Sequence, residues 1–142
     1  MASSSAAGTS RRLASVGSSR RLALGNPARR AALVTPWDLF FGGTKKAVIQ
    51  QVDTGNCIDG GGDPLALIKK YPGRTTTIHL KEFSKTKPDA FVTEGDMPWK
   101  TVFEACETVG GTEWYIVEYE HESQPAIPAV GRCLANLRKL GK

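Results

Sequence analysis

Three short apolar runs, separated by longer amphipathic segments, set the hydrophobic pattern of this chain. The runs occupy residues 47–52 (AVIQQV), 75–78 (TTTI) and 114–117 (WYIV). Each run is rich in β-branched or aromatic side chains and is bounded by polar or glycine-containing segments, which is typical of a buried strand. The pattern therefore predicts three strands in the C-terminal two thirds of the chain.

The segments after the predicted strands have helical spacing. Asp63 and Pro64 are typical of an N-cap and a first helical residue, and the helix that they open is expected to end at Tyr71. Pro98 opens a second helix, and a third lies near the C-terminus. The apolar positions of these two helices are Val102, Phe103, Ala105, Cys106 and Val109, then Ile127, Val130, Leu134, Leu137 and Leu140. The remaining segments are predicted as a short helix or turn at 36–41, a glycine-rich loop at 54–62 and a polar loop at 83–97.

Strands that alternate with helices predict an α/β fold with a parallel sheet and right-handed crossovers. A parallel sheet is normally covered on both faces. A sheet of only three strands also leaves at least one edge open for pairing with another strand. The predicted fold therefore favours self-association through the open edges of the sheet.

The first 35 residues differ in composition from the rest. Residues 1–35 are rich in Ser, Ala and Arg and contain six of the 19 Lys and Arg residues but no acidic residue. This composition predicts a disordered leader or an artefactual extension, with an organellar transit peptide and a twin-arginine export signal as alternatives. We place the folded domain at residues 36–142.

Charge and cysteine content exclude several classes of protein. All 14 Asp and Glu residues lie in 36–142, so this part is nearly neutral, which argues against specific nucleic-acid binding. Cys57, Cys106 and Cys133 form no CxxC pair, so we expect free thiols rather than a zinc knuckle or a disulfide framework. No apolar stretch approaches the ~20 residues of a transmembrane helix. We predict a cytoplasmic protein, with organellar targeting by the leader as the alternative.

A potential metal ligand follows the apolar part of each predicted strand: Asp53, His79 and Glu118. Because the carboxyl ends of parallel strands lie at one edge of a sheet, we expect these side chains to meet there and to bind a divalent metal. Asp53 as a loop cap and His79 as a structural histidine are the alternatives. Glu118 is harder to explain without a cation, because burying an unpaired carboxylate costs several kcal/mol or more.

Seven short motifs follow one another along the folded part of the chain. They are 36–41 (PWDLFF), 52–56 (VDTGN), 61–64 (GGDP), 71–74 (YPGR), 78–82 (IHLKE), 94–99 (EGDMPW) and 114–118 (WYIVE). In order and spacing they resemble the xylose isomerase-like TIM barrels, a family of sugar phosphate isomerases and epimerases. The resemblance implies a partial (β/α)8 TIM barrel with three C-terminal βα units, strands six to eight. Since such a barrel takes about 250 residues, it also implies a truncated copy.

The resemblance implies a metal centre with isomerase chemistry. Family members hold a divalent metal with a Glu, an Asp, a His and a Glu from strands five to eight, and Asp53, His79 and Glu118 match the last three. This ligand set suits Mn, Mg, Co or Zn acting as a Lewis acid on a sugar or sugar phosphate. Glu118 would also be a catalytic acid or base. The strand-five Glu has no counterpart, so we expect the chain alone to be weakly active or inactive.

Further polar residues flank these ligands. Asn56 and Lys81 are candidates for substrate binding, with a turn and a surface position as their alternative roles. Glu120 and His121 are further candidates at the same edge of the sheet.

The expected function is thus a metal-dependent sugar isomerase or epimerase domain. One alternative is a non-catalytic barrel fragment that acts as an interaction module or is a gene remnant. Another is an endonuclease IV-like DNA-repair protein. The DNA-repair alternative requires a multi-metal centre with several more histidine and acidic ligands, and this chain has only two histidines.

Overall fold

Three parallel strands alternate with helices along residues 34–142. These are the residues that the structure, a computed structural model, describes. In chain order the elements are α1 (Pro36–Gly43), β1 (Gln51–Asp53), α2 (Thr54–Asp59), α3 (Pro64–Lys70), β2 (Thr77–Leu80), α4 (Trp99–Ala105), a π-helix (Cys106–Gly110), β3 (Trp114–Val117) and α5 (Ala126–Lys139). The predictions of a disordered leader, a transit peptide or an export signal for residues 1–35 fall, up to residue 33, outside the described residues.

The sheet has the order β1–β2–β3, and both strand pairs are parallel. In its register Asp53 lies beside His79, and His79 lies beside Ile116. The predicted α/β fold with a parallel sheet is therefore confirmed. The three strands also end at nearly the same level, which brings the residues at their carboxyl ends together.

The two faces of the sheet differ in how they are covered. Val52, Ile78 and Leu80 point to the helix side and are fully buried in the core. On the opposite face of β3, Trp114 is 66% exposed and Ile116 is 40% exposed. Side chains alternate between the two faces along a strand. Asp53 and Ile116 are both paired with His79 in the register, so Asp53 lies on the same exposed face as Ile116.

The first strand is shorter than the sequence predicts. The apolar run 47–52 predicts a strand over its whole length, but β1 begins at Gln51. Gln50 is fully buried, and its backbone N–H donates to the Arg74 carbonyl at 2.7 Å. Its side-chain amide donates to Thr75 Oγ1, also at 2.7 Å. A polar residue with its own long-range partners therefore occupies a core position that the hydrophobic pattern did not single out.

The glycine-rich segment after β1 is only partly a loop. The prediction of a loop at 54–62 was wrong for its first six residues, which form α2. Asp53 is the N-cap of this helix, because its Oδ1 accepts the backbone N–H of Asn56 at 2.7 Å. The sequence left a capping role for Asp53 open as the alternative to metal binding, and the structure shows that Asp53 caps a helix rather than a loop.

The segment before β1 is fixed by a buried arginine. Arg74 is 6% exposed, and its guanidinium donates to the carbonyls of Val48 and Phe41 and to Thr44 Oγ1, at 2.7–2.8 Å. It also stacks on the ring of Phe41, 5.0 Å from the centroid. These contacts tie α1 and the turn after it to the start of β2.

None of the helices among residues 34–142 combines the length and the hydrophobicity needed to cross a lipid bilayer.

Asp38 links α1 to the end of α3 and gives the fold a pH-dependent contact. Its carboxylate lies 2.6 Å from Lys70 Nζ and accepts the Tyr71 hydroxyl at 2.8 Å. The hydrogen bonds from Lys70 and then Tyr71 hold the pKa of Asp38 well below its ordinary value of 3.8. The ionised carboxylate therefore stabilises the folded chain.

We expect Asp38→Asn to lower the melting temperature at about pH 7 and to lower it by a smaller amount at about pH 2. As the pH falls below ~4, the unfolded chain takes up the Asp38 proton before the folded chain does, so the contribution of the ionised carboxylate shrinks progressively and is lost only at the lowered pKa of the folded chain. Thermal melts at both pH values, with the exposed Asp59→Asn as control, test this. A wild-type advantage of the same size at both pH values would contradict it.

Candidate metal centre at the carboxyl end of the sheet

Three potential metal ligands converge where the strands end. Asp53 is the last residue of β1, His79 lies in β2, and Glu118 directly follows β3. One ligand atom from each lies within 4.8 Å of the other two. His79 Nδ1 is 3.7 Å from Asp53 Oδ2 and contacts Glu118 Oε2 directly. The side chains are 18–28% exposed, so the cluster is half-buried and open to solvent on one side.

The two carboxyl groups of the cluster have opposite pKa shifts. Partial burial raises the pKa of Asp53, the backbone N–H of Asn56 opposes this, and the nearby charge of Glu118 adds to the rise. For Glu118, partial burial also favours the neutral form, but hydrogen bonds from Lys81 and His79 outweigh it and lower the pKa. Since two close carboxylates disfavour each other's ionisation, a cation between them would stabilise both charges.

The donor set fits a divalent cation. Two carboxylates and one imidazole suit Mn²⁺, Mg²⁺, Co²⁺ or Zn²⁺ without selecting strongly among them. Donors bound to one such ion by bonds of about 2.1 Å lie up to about 4 Å apart. The separations within the cluster, at most 4.8 Å, are thus closed by small side-chain rotations.

Asn56 lies beside the cluster and donates hydrogen bonds to Asp53, one of the three candidate metal ligands. Its side-chain amide donates to Asp53 Oδ2 at 3.0 Å, and its backbone N–H donates to Oδ1. Both oxygens of Asp53 are therefore oriented by one residue. This contact supports a role for Asn56 in positioning Asp53, and binding of substrate by Asn56 stays a prediction.

Lys81 also contacts the cluster. Its ammonium group donates to Glu118 Oε1 at 3.3 Å and pairs with the carboxylate of Glu120. The Lys81 side chain is only 14% exposed, so the surface role that the sequence left open does not apply. His121, the other candidate in this region, is exposed and packs its ring edge-on against Tyr119.

A cavity of about 410 Å³ opens beside Asp53 and Asn56. Its walls are mostly apolar and include Trp37, Val52 and Leu67. Ligand sites of small molecules commonly have volumes of 300–1,000 Å³ and a few polar groups at one end. Asp53 belongs to the lining of this cavity, so the cavity borders the cluster at that residue.

Two residues that support the site were not among the sequence candidates. Thr54 is fully buried, and its hydroxyl donates to the Lys81 carbonyl at 2.7 Å and accepts the Lys81 N–H at 3.0 Å. Glu82 accepts three backbone N–H groups and one indole N–H of the loop that follows β2: those of Phe83, Thr93, Met97 and Trp99. The one sequence signal for Glu82 is an acid placed where a long polar loop begins.

Sequence comparisons find similar proteins that match part of this chain. No family model matches the chain. An inosose dehydratase from Geobacillus thermodenitrificans is 29% identical over 101 residues, which cover 58% of this chain and 34% of that protein. One from Lacticaseibacillus casei is 29% identical over 94 residues, covering 54% and 32%. The chain thus spans about a third of the length of the curated relatives that it matches.

Solved structures give a similar result. Two structures of a sugar phosphate isomerase/epimerase from Parabacteroides distasonis align with TM-scores of 0.61 and 0.62 at 24% and 23% identity. They cover 72% and 71% of this chain and 36% and 34% of the matched chains. At this identity the likeness shows a shared fold over part of the larger proteins, and the chemistry has to be argued from the site.

Proposed function

We propose that this chain, whose resemblance to the xylose isomerase-like TIM barrels is confirmed over part of that fold, is a metal-dependent sugar isomerase or epimerase domain. The observation that carries the proposal is the convergence of Asp53, His79 and Glu118 at the carboxyl end of a parallel sheet. In α/β barrels this end is where catalytic residues lie. The three C-terminal βα units and a bound metal are parts of this proposal.

Each residue of the cluster has a distinct part in the proposed reaction. A divalent cation bound there would act as a Lewis acid on the substrate carbonyl and stabilise the charge left when a proton departs from the adjacent carbon. Glu118 accepts that proton, a role that requires an ionised carboxylate. In the chain without a cation, hydrogen bonds from Lys81 and His79 already favour this form, because they lower the pKa of Glu118. Asp53, oriented by Asn56, serves as a ligand.

The proposed substrate class is a sugar or sugar phosphate with a carbonyl group. The cavity beside Asp53 has the volume for a small polyol, and its lining includes the polar side chains of Asp53 and Asn56. The sequence matches to inosose dehydratases favour a second candidate, a dehydratase of a polyhydroxylated ketone. Both reactions begin with removal of a proton next to a carbonyl, so Glu118 would have the same role in each.

Metal binding and proton exchange test the proposal together. We expect the purified chain to bind one Mn²⁺ saturably in a calorimetric titration. With Mn²⁺ bound, we expect slow exchange of deuterium from solvent into the carbon beside the carbonyl of a ketose or inosose, followed by NMR. Absence of saturable Mn²⁺ binding at millimolar concentration would contradict the metal centre, and binding without any exchange would contradict the chemistry.

A non-catalytic interaction module is the alternative that the exposed apolar surface favours. Trp114 and Ile116 on the open face of β3, and Ile127 on α5, are 66%, 40% and 80% exposed. A parallel sheet is rarely left uncovered on one face. A tight oligomer in light scattering after size-exclusion chromatography, without saturable Mn²⁺ binding, would favour this alternative over the enzyme.

A further inference from the structure

A single ammonium group bridges a proposed metal ligand and an exposed acid that is not a ligand. Lys81 Nζ bonds Glu118 Oε1 at 3.3 Å and also pairs with Glu120. The Lys81 side chain is 14% exposed, whereas that of Glu120 is 63% exposed. A positive charge is thus held directly against a residue that would bind a cation, and a solvent-facing carboxylate shares it.

The base of the Lys81 side chain is fixed, and only its outer part is free to turn. The Thr54 hydroxyl bonds both the N–H and the carbonyl of Lys81. A Cβ at Gly55 would lie 2.8 Å from Lys81 Cγ, so the backbone of Gly55 packs closely against the inner methylenes. The ammonium group therefore moves by rotation of its last bonds, over the distance between Glu118 and Glu120.

A cation in the cluster and the ammonium of Lys81 compete for the same carboxylate. Glu118 Oε2 already contacts His79, and Oε1 is the oxygen that Lys81 holds. A divalent ion bound to Glu118 would offset the negative charge that attracts Lys81. It would also repel the Lys81 ammonium directly, because the ion and the ammonium would lie only a few ångströms apart. Glu120 supplies an alternative partner, so the ammonium has a nearby counter-ion when it leaves Glu118.

We propose that Lys81 and Glu120 form a counter-ion switch beside the metal centre, an inference that rests on the proposed function. Lys81 bridges Glu118 and Glu120 while the cluster holds no cation and is held by Glu120 alone once a cation is bound. Lys81 accordingly lowers the metal affinity of the cluster. Glu120 is a positioning residue that raises this affinity by drawing the ammonium away, although it binds no metal itself.

Mn²⁺ titrations of four variants of the full chain test the switch. We expect Lys81→Met to bind Mn²⁺ several-fold more tightly than wild type, because a competing charge is removed. We expect Glu120→Gln to bind it about tenfold more weakly, within the range typical of residues that hold metal ligands in place. Glu122→Gln changes an exposed carboxylate of the same loop and should leave the affinity unchanged.

The double variant Lys81→Met/Glu120→Gln separates the switch from a merely structural role. Since Glu120 acts through Lys81, its substitution should have little effect once Lys81 is replaced. An equal loss of affinity in both backgrounds, or no loss in either, would overturn the inference while leaving the metal centre intact. A wild-type chain without saturable Mn²⁺ binding would overturn the proposed function and the switch together. If Lys81→Met unfolds by circular dichroism, Lys81→Gln takes its place in the cycle with the same expected results.

Discussion

The Glu118→Gln variant is expected to lose Mn²⁺ binding by about 100-fold or more and to show no exchange of substrate protons. The amide keeps the size of the side chain but removes the negative charge that a divalent ligand set needs, and ligand orientation alone is worth about 10–100-fold in affinity. The amide also cannot accept a proton as a base. The same substitution breaks the ion pair with Lys81, which is 3.3 Å away in the wild-type chain.

Glu113→Gln is the matched control for this experiment. Glu113 is an exposed acid just before β3, at the amino end of the strand that Glu118 follows. It should bind Mn²⁺ as the wild type does and melt at the same temperature. Equal Mn²⁺ affinity of Glu118→Gln and Glu113→Gln would show that Glu118 is not a ligand, whatever the activity of either variant.

The convergence of the three candidate ligands followed from a simple rule about parallel sheets. Strands that pair in parallel present their carboxyl ends at one edge. Asp53, His79 and Glu118 each stand at such an end, so a pattern of short apolar runs was enough to expect them together. The structure brings them within 4.8 Å. Their binding of a metal stays a proposal, because the same cluster is also an N-cap and an ion-pair network.

What the sequence did not predict depends on contacts between distant residues. Gln50 and Arg74 are polar, yet both are buried, because each finds hydrogen-bond partners at least 17 residues away. Hydrophobic periodicity carries no information about such partners, so the start of β1 was placed too early. The same limit applies to Lys81, whose pairing with Glu118 spans 37 positions.

Matches that cover about a third of the relatives support a family resemblance and a shared fold. The reaction and the substrate class are therefore argued from the site, because an inosose dehydratase and a sugar phosphate isomerase/epimerase are named for different reactions. The half-buried pair of acids with one imidazole supports the proposal of chemistry assisted by a cation.

Glu82 organises the loop between β2 and α4 with one carboxylate. Oε1 accepts the backbone N–H groups of Phe83 and Met97 at 3.0 and 3.1 Å. Oε2 accepts the N–H of Thr93 and the indole N–H of Trp99 at 2.7 and 2.6 Å. Gly95 allows this approach, because a Cβ there would lie only 2.7 Å from Oε1. The loop therefore folds around a charge that directly follows Lys81.

We expect Glu82→Gln to lower the free energy of unfolding by about 2–6 kcal/mol. The amide replaces one oxygen by an NH₂ group, so two of the four donors lose their acceptor, and each unsatisfied donor costs about 1–3 kcal/mol. Urea denaturation measures the change in the free energy of unfolding. Hydrogen exchange should be accelerated by the substitution at residues 83–97 more than in the rest of the described chain. Glu104→Gln, an exposed acid on α4, is the control. Equal stability of the two variants, with loop protection unchanged, would mean that the loop is held by its other contacts, such as the packing of Trp99 against Phe103.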